Sequence, residues 1–266
     1  MKSMVAAGMA AAVMACTAPG GSGPAASPPQ PEERLRAMSD FLAGVNDLRL
    51  TTRETHTFPG PSGEEVTFEG TRETTIWRPD ALRETLRGKS PLRELHLDLY
   101  YDGLTLTLEH HTRKIWAQAE VAPSLDEMLD EVAWRFDLPL PVADMLYSSP
   151  YDALFVDGTK GEYVGGEDVE GRACHRLSFT GPTVDWEVWI QAEGEPRPCR
   201  LDIVHKEMEG RPTSQIVVTG LDPDPDVEES LFAFEPEDGY HRIPVVENPP
   251  PGASDDQPPT DEGRTP

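Results

Sequence analysis

The chain has 266 residues, of which 48 are acidic and 23 are Lys or Arg, for a formal net charge of -25. No basic stripe interrupts that field, so nucleic acid is repelled, and the folded surface has no electrostatic means of adhering to anionic headgroups. The length allows one domain with a sizeable core, flanked by segments whose composition cannot build one.

At the N-terminal end Lys2 precedes an apolar run, Met4 to Ala15, too short to span a bilayer but of the length of a signal-peptide core. Val13-Met14-Ala15-Cys16 resembles a bacterial lipobox, so residues 1–15 are expected to be a lipoprotein signal peptide. Cys16 is then the lipidated residue, with acyl chains such as palmitate anchoring it to the membrane. An ordinary secretory signal cut nearby is the alternative. Thr17, where an aspartate would argue otherwise, resembles lipoproteins sent to the outer membrane, so the expected address is the bacterial cell envelope, on the periplasmic face of that membrane. Residues 16–31, rich in Pro, Gly, Ser and Ala, read as a flexible tether. The far end, residues 247–266, reads as a disordered acidic, Pro-rich tail.

Between them, residues 32–246 form the folded domain. Glu32 to Asn46 places Leu35, Met38, Phe41, Leu42 and Val45 on one helical stripe. "LRLTTRETHTF" and "EEVTFEGTRETTIW", parted by "PGPSG", read as a long hairpin, and "ALRETLRG" begins the next strand. The clearest alternation follows. Leu95, Leu97, Leu99 and Tyr101 share one face, and Leu104, Leu106 and Leu108 share the matching face across an Asp102-Gly103 turn. "KIWAQAE" adds a strand. Ser124 then caps a helix whose stripe is Leu125, Met128, Leu129, Val132 and Phe136, with Glu127 placed for a capping box. Two short helices, "PVADMLY" and "SPYDALF", lead back to strands: "GEYVGGEDV", "RACHRLSF", "VDWEVWIQ", "CRLDIVHKEM", "TSQIVVTGL" and "SLFAFEP". In "VDWEVWIQ" the alternation puts Trp186, Val188 and Ile190 on one face and Trp189 on the other. The whole describes an α+β fold, an antiparallel sheet curling around helices; a closed barrel or a sandwich is the alternative, although a sandwich needs a second sheet where the chain offers an amphipathic helical insert.

Cys174 and Cys199 remain once Cys16 is set aside, and an even count in an oxidising compartment invites a disulfide. Alternation argues against it. Cys174 falls on the outer parity and Cys199 on the inward parity of Leu201 and Ile203, with a strand expected between them, beyond the roughly 7 Å Cα reach of a bridge.

"LRAMSDFLAGVNDLRL", "RPDALRETLRG", "YYDGLTLTLEHHTRKIWAQAEVAPSLDEMLD", "LPLPVADMLYSSPYDAL" and "GRACHRLSFTGPTVDWEVWI" together resemble, in order and spacing, a bacterial family of predicted periplasmic proteins, domain-of-unknown-function family twenty-ninety-two. That family is similar to the lipoprotein carriers LolA and LppX. The resemblance implies a strongly curved, open antiparallel sheet, a half barrel, whose concave apolar side is covered by helices. It supplies no catalytic residues. The chain departs from the family at "EGEPRPCRLDI" and in its acidic tail.

No catalytic residue, metal ligand or cofactor is assigned from the residues themselves. His110 and His111 are adjacent in a strand, point to opposite faces and read as a solvated strand end. Cys174-His175 has the same defect, and CxxC, HExxH, GxSxG, SxxK and GxGxxG spacings are missing from the sequence. Asp126 and Asp130 read as a solvated helix face and Ser62 as a turn residue. What remains is an apolar wall: Leu95, Leu97, Leu99, Tyr101, Leu104, Leu106, Leu108, Met128, Val132, Phe136, Trp186, Val188, Ile190, Leu201 and Ile203. These residues make either an ordinary core or the lining of a cavity for a lipid, an acylated protein or another hydrophobic ligand. The rival expectation is an envelope interaction or sensing module with a filled core, for which an outward Trp189 would be a contact residue.

Overall fold

The computed structural model describes residues 30–136, 138 and 140–248. The expected signal peptide, Cys16, the tether as far as residue 29 and the tail from residue 249 lie outside the described residues.

Helix α1 (Pro31–Ala43) opens with Pro31 in its first turn, beside Glu32 and Glu33 at the positive end of the dipole, and buries Leu35, Met38, Ser39 and Leu42. It stops three residues short of the expected Asn46, at Gly44. Six strands follow: β1 (Asp47–Pro59), β2 (Glu65–Trp77), β3 (Ala81–Lys89), β4 (Glu94–Tyr101), β5 (Thr105–His110) and β6 (Ile115–Glu120). After α2 (Leu125–Arg135), a 3-10 turn at Ala143–Met145 and α3 (Pro150–Leu154), the sheet resumes as β7 (Lys160–Val169), β8 (Arg172–Thr180), β9 (Val184–Gln191), β10 (Pro198–His205) and β11 (Thr213–Asp222). Ser124 caps α2 as expected, accepting from the Glu127 amide at 3.3 Å. The box closes differently, however: the Glu127 carboxylate takes the Ser124 hydroxyl proton, at 2.8 Å.

Among the described residues, all strands belong to one sheet in the order β12-β6-β5-β4-β3-β2-β1-β11-β10-β9-β8-β7, where β12 is His241–Arg242. Every pairing is antiparallel except that of β12 with β6, and the two ends of the order, β12 and β7, do not meet. The sheet is therefore open. It also bends. Leu108 on β5 and Ile203 on β10 face one cavity although they lie six strands apart in that order, about 29 Å in a flat sheet.

The inward parity of the strands and the buried stripes of α1, α2 and α3 meet in one apolar cluster, which includes Leu48, Ile76, Leu82, Tyr101, Met128, Val132, Leu177, Phe179, Trp186, Val188, Ile190 and Leu201. Tyr151 fastens α3 to α1 by donating its amide to Ser39 Oγ at 2.9 Å.

Two expectations are corrected. Cys174 and Cys199 form a disulfide, with Cα atoms 7.0 Å apart. The register of β9 and β10 slips between Pro198 and Arg200, so Cys199 is the extra residue of a bulge, which frees its side chain from the parity of Leu201 and turns it to the opposite face. There it joins Val169, Cys174, Trp189 and Val217 in a second buried cluster. Secondly, "SLFAFEP" is not a strand. Glu229–Leu231 is a 3-10 turn, and the chain beyond crosses the outer face of the sheet as a strap, with Phe232 against Trp77 and Phe234 between Tyr100 and Trp116. Its two aromatics satisfy apolar pattern by side-chain packing, while neighbouring prolines have no N–H to give a ladder. Glu247 and Asn248, the described residues next to the tail, lie against α2. Glu247 pairs with Arg135 at 2.9 Å, and the Asn248 amide donates to the Arg135 carbonyl, an open acceptor at the end of α2.

Candidate functional site

The inward residues of the curved sheet are not equally buried. Along β4 the inward residues pass from Tyr101 and Leu99, fully buried, to Leu97 and Leu95, half-buried; along β3 they pass from Leu82 and Glu84 to a half-buried Leu86. At that less buried end lies a cavity of about 550 Å³. Its walls are Leu95, Leu97 and Leu99 of β4, Leu108 of β5, Leu86 of β3, Phe68 of β2, Phe58 of β1 and Ile203 of β10, and Leu138, Leu140 and Pro141 approach from the segment after α2. Register makes the wall continuous: Leu86 faces Leu97, and Leu99 faces Leu108. Ser90, Arg93 and His205 lie at the strand ends, where the cavity reaches the surface.

Two glycines keep this space open. Gly70 of β2 and Gly88 of β3 are cross-strand partners on the inward parity. The Phe68 ring lies down over both, so that a Cβ on Gly70 would sit 2.9 Å from its Cε1 and one on Gly88 would collide with the ring. With side chains there, Phe68 would have to stand up into the cavity.

The deep end is charged. Arg72 is buried between Glu54 and Glu84: its Nε donates to Glu54 at 2.8 Å, and a second guanidinium nitrogen donates to Glu84. Thr52 and Thr74 donate hydroxyls to the two carboxylates at 2.9 and 3.1 Å. Burial alone would raise both carboxyls. In Glu54 it is outweighed by the His56 hydrogen bond and the Arg72 charge, which bring the pKa to about 2. In Glu84, wholly enclosed and holding a smaller share of the guanidinium, burial wins and the pKa rises. One cation thus compensates Glu54 first, and Glu84 takes up a proton more readily.

His56 extends this network into the cavity, with Nδ1 2.8 Å from Ser214 Oγ and Nε2 3.0 Å from Glu54 Oε2. Serine, histidine and carboxylate in sequence are the residue types of acyl transfer, and no spacing along the chain signals them. Ser214, however, lies in a strand paired on both sides, with His56 of β1 and Ile203 of β10. Its surroundings are ladder, so the backbone N–H groups that would cradle an oxyanion are committed to it. What the string supplies to a ligand is a polar, hydrogen-bonding patch within an apolar wall.

Of the fifteen residues expected on a ligand wall, Leu95, Leu97, Leu99, Leu108 and Ile203 line the cavity. Tyr101, Leu106, Met128, Val132, Trp186, Val188, Ile190 and Leu201 are buried in the main apolar cluster, with Phe136 half-buried against it. Leu104 belongs to neither; it is 59% exposed. Asp102 accepts the amides of Leu104 and Thr105 at 3.1 and 2.8 Å, a turn that takes Leu104 out of the alternation before β5 begins at Thr105. Trp186 and Trp189 do face opposite ways, but Trp189 is not a contact residue. It is 1% exposed, lies beneath Arg176 and Arg200, and donates its indole N–H to Glu167 at 3.0 Å. Asp126 and Asp130 are not a free helix face either: they accept from Ser148 and from the Tyr147 hydroxyl, pinning the segment beyond the 3-10 turn to α2.

Residues 31–246 match the model of a family described as "Predicted periplasmic protein (DUF2092)". No curated protein sequence matches the chain. Among solved structures the chain is similar to the lipoprotein LppX of Mycobacterium tuberculosis, at 14% identity over 74% of this chain and 97% of that one, with a TM-score of 0.45. It is similar to a LolA superfamily protein of Nitrosomonas europaea, at 9% identity over 77% of this chain and 97% of that one, with a TM-score of 0.31. A third likeness is to the MucA/MucB complex structure of Pseudomonas aeruginosa, at 15% identity over 76% of this chain and 60% of that one, with a TM-score of 0.37.

Proposed function

The chain belongs to the DUF2092 family of predicted periplasmic proteins, and from that premise we propose that it is an envelope protein that binds or carries a hydrophobic ligand in the cavity lined by Leu95, Leu97, Leu99 and Leu108. In this reading the sheet is a half barrel with α1, α2 and α3 over part of its concave side, and Cys16 carries the lipid that holds the domain at the outer membrane. The chemistry is binding without catalysis.

One observation supports the proposal above the rest: the apolar wall continues beyond the helices into a space of about 550 Å³. That lies within the roughly 300–1,000 Å³ of small-molecule sites. Each methylene transferred there gains about 0.8 kcal/mol, so an acyl chain of sixteen carbons gains about 12 kcal/mol before ordering and association costs. A fatty acyl group fits the asymmetry of the site, with its chain along the leucines and its polar end at Arg93 and His205.

The test is titration of a fluorescent fatty-acyl probe, with native mass spectrometry of the purified protein. Wild type is expected to bind the probe and to release acyl lipid on extraction. Leu97→Trp, which places an indole in the middle of the wall, is expected to weaken probe binding at least tenfold with unchanged circular dichroism. Wild-type protein that neither carries lipid nor binds the probe overturns the proposal.

A further inference from the structure

The opposite face of β4 and β5 carries a second group of side chains. His96 and Asp98 alternate along β4, and Glu109 and His111 alternate along β5 and its end. Asp98 and Glu109 are cross-strand partners, and the His111 amide donates to the His96 carbonyl at 3.0 Å. Residues two apart on each of two adjacent strands point the same way, so the hairpin sets two imidazoles and two carboxylates in a square on one face. The ligating atoms of His96, Asp98 and His111 all lie within 4.8 Å of one another, as do those of Glu109, His111 and Glu237.

This geometry points to a divalent metal site of the zinc class, with His96, Asp98 and His111 as its ligands and Glu109 beside it, in a second group that shares His111. His111 is central: its Nε2 lies 2.8 Å from Asp98 Oδ2 and 3.6 Å from Glu109 Oε2. An independent observation concerns the carboxylates. Asp98 and Glu109 are 6% and 2% exposed, and Asp98 Oδ1 and Glu109 Oε1 are buried with no hydrogen-bond partner among the described residues. Buried acceptors are ordinarily satisfied, and a cation held by His96, Asp98 and His111 is a partner for the Asp98 carboxylate. Arg83 already pairs with Asp98 Oδ2, at 2.6 Å, and offers nothing to these two oxygens.

Imidazole and carboxylate ligands at about 2.0–2.2 Å from an ion are a zinc-type donor set. The closure required is small. His96, whose ring stacks on His111 with centroids 4.0 Å apart, turns about its χ angles and exchanges the Arg87 hydrogen bond for the metal. An ion bound at His111 Nε2 leaves Nδ1 as the nitrogen free for an outer hydrogen bond. That nitrogen already faces the Tyr240 hydroxyl at 3.0 Å, the outer partner a metal-bound imidazole needs. Since Tyr240 and Glu237 belong to the C-terminal strap, an ion here also clips the strap to the sheet.

The test uses full-length protein stripped with EDTA, loaded with zinc alone, desalted and assayed for metal by mass spectrometry. One zinc per chain is expected in wild type and in His175→Ala, which removes a histidine elsewhere. His111→Ala and, separately, His96→Ala are expected to lose at least a hundredfold in affinity, and Tyr240→Phe roughly tenfold. Zinc is further expected to raise the melting temperature of wild type but not of His96→Ala, whose ring is half-exposed and whose metal-free fold is checked by circular dichroism. Wild type that retains no zinc, or a folded His96→Ala/His111→Ala double variant that retains it undiminished, overturns the inference; either result is independent of whether the cavity binds lipid.

Discussion

The most consequential single residue is Arg72. Inside a trough otherwise built for apolar contact it neutralises Glu54 and, in part, Glu84, and removing it leaves two buried carboxylates facing each other. Breaking a buried pair costs about 3–5 kcal/mol, whereas an exposed pair costs under about 1. Arg72→Met is therefore expected to lower the urea midpoint by the larger amount, and adding Glu84→Gln to recover part of it. The same network makes stability depend on acid. Glu54, with its pKa lowered from 4.5 to about 2, stabilises the fold fully above pH 4.5, and that contribution is lost as pH falls towards about 2. Glu84, raised, has the opposite sign: its contribution is present at low pH and is lost as pH rises through its folded value. Urea midpoints measured through this window are expected to fall less steeply with acid in Glu54→Gln than in wild type. Neither effect could be read from the chain, where Glu54, Arg72 and Glu84 look like polar residues that happen to fall on an inward parity.

At the scale of elements, hairpins were the most legible part of the sequence because their alternation and their turns agree. β4 and β5 lie where the leucine ladder places them, and the ladder fails only at Leu104, where an aspartate side chain captures the turn. The same register, applied to the outer parity, brings "HLD" beside "EHH"; considering His110 and His111 only as neighbours left His111 a solvated strand end, whereas it is packed among His96, Asp98 and Tyr240. Parity also misled at Cys199, because a bulge adds one residue and leaves no mark in composition. The bridge it permits closes a loop of 25 residues, which in the chain-entropy view contributes about 3 kcal/mol. Cys199→Ser is expected to lower the melting temperature by roughly 6–12 °C. Reductant should bring wild type to the same value and leave the variant unmoved, a comparison that calorimetry decides.

At the scale of the whole molecule, the two ends of the domain are tied to its middle. The strap runs from β11 over Trp77, Tyr100 and Trp116, adds β12 to the free edge of β6 and ends on α2, so the sheet edge is covered and the helix end is capped by one segment. Phe234→Ala removes the contact shared by Tyr100 and Trp116, a loss of about 1–2 kcal/mol locally. The His241 and Ile243 amides, which donate to Lys114 and Trp116, are expected to exchange about 5–30 times faster in that variant by hydrogen-exchange mass spectrometry, while amides of β1 and β2 stay protected.

By itself the sequence determined the family, the succession of helix, strands, helical insert and strands, and the side of each strand that meets the core. These follow from local periodicity and turn chemistry, which act over a few residues. Only the tertiary structure decided which part of the apolar wall is fully buried and which borders a cavity, and which carboxylates share one guanidinium. It alone joined two cysteines across an intervening strand. Such outcomes depend on how far a twelve-stranded sheet bends and where its register slips, sums over distant pairings that no short stretch of chain encodes.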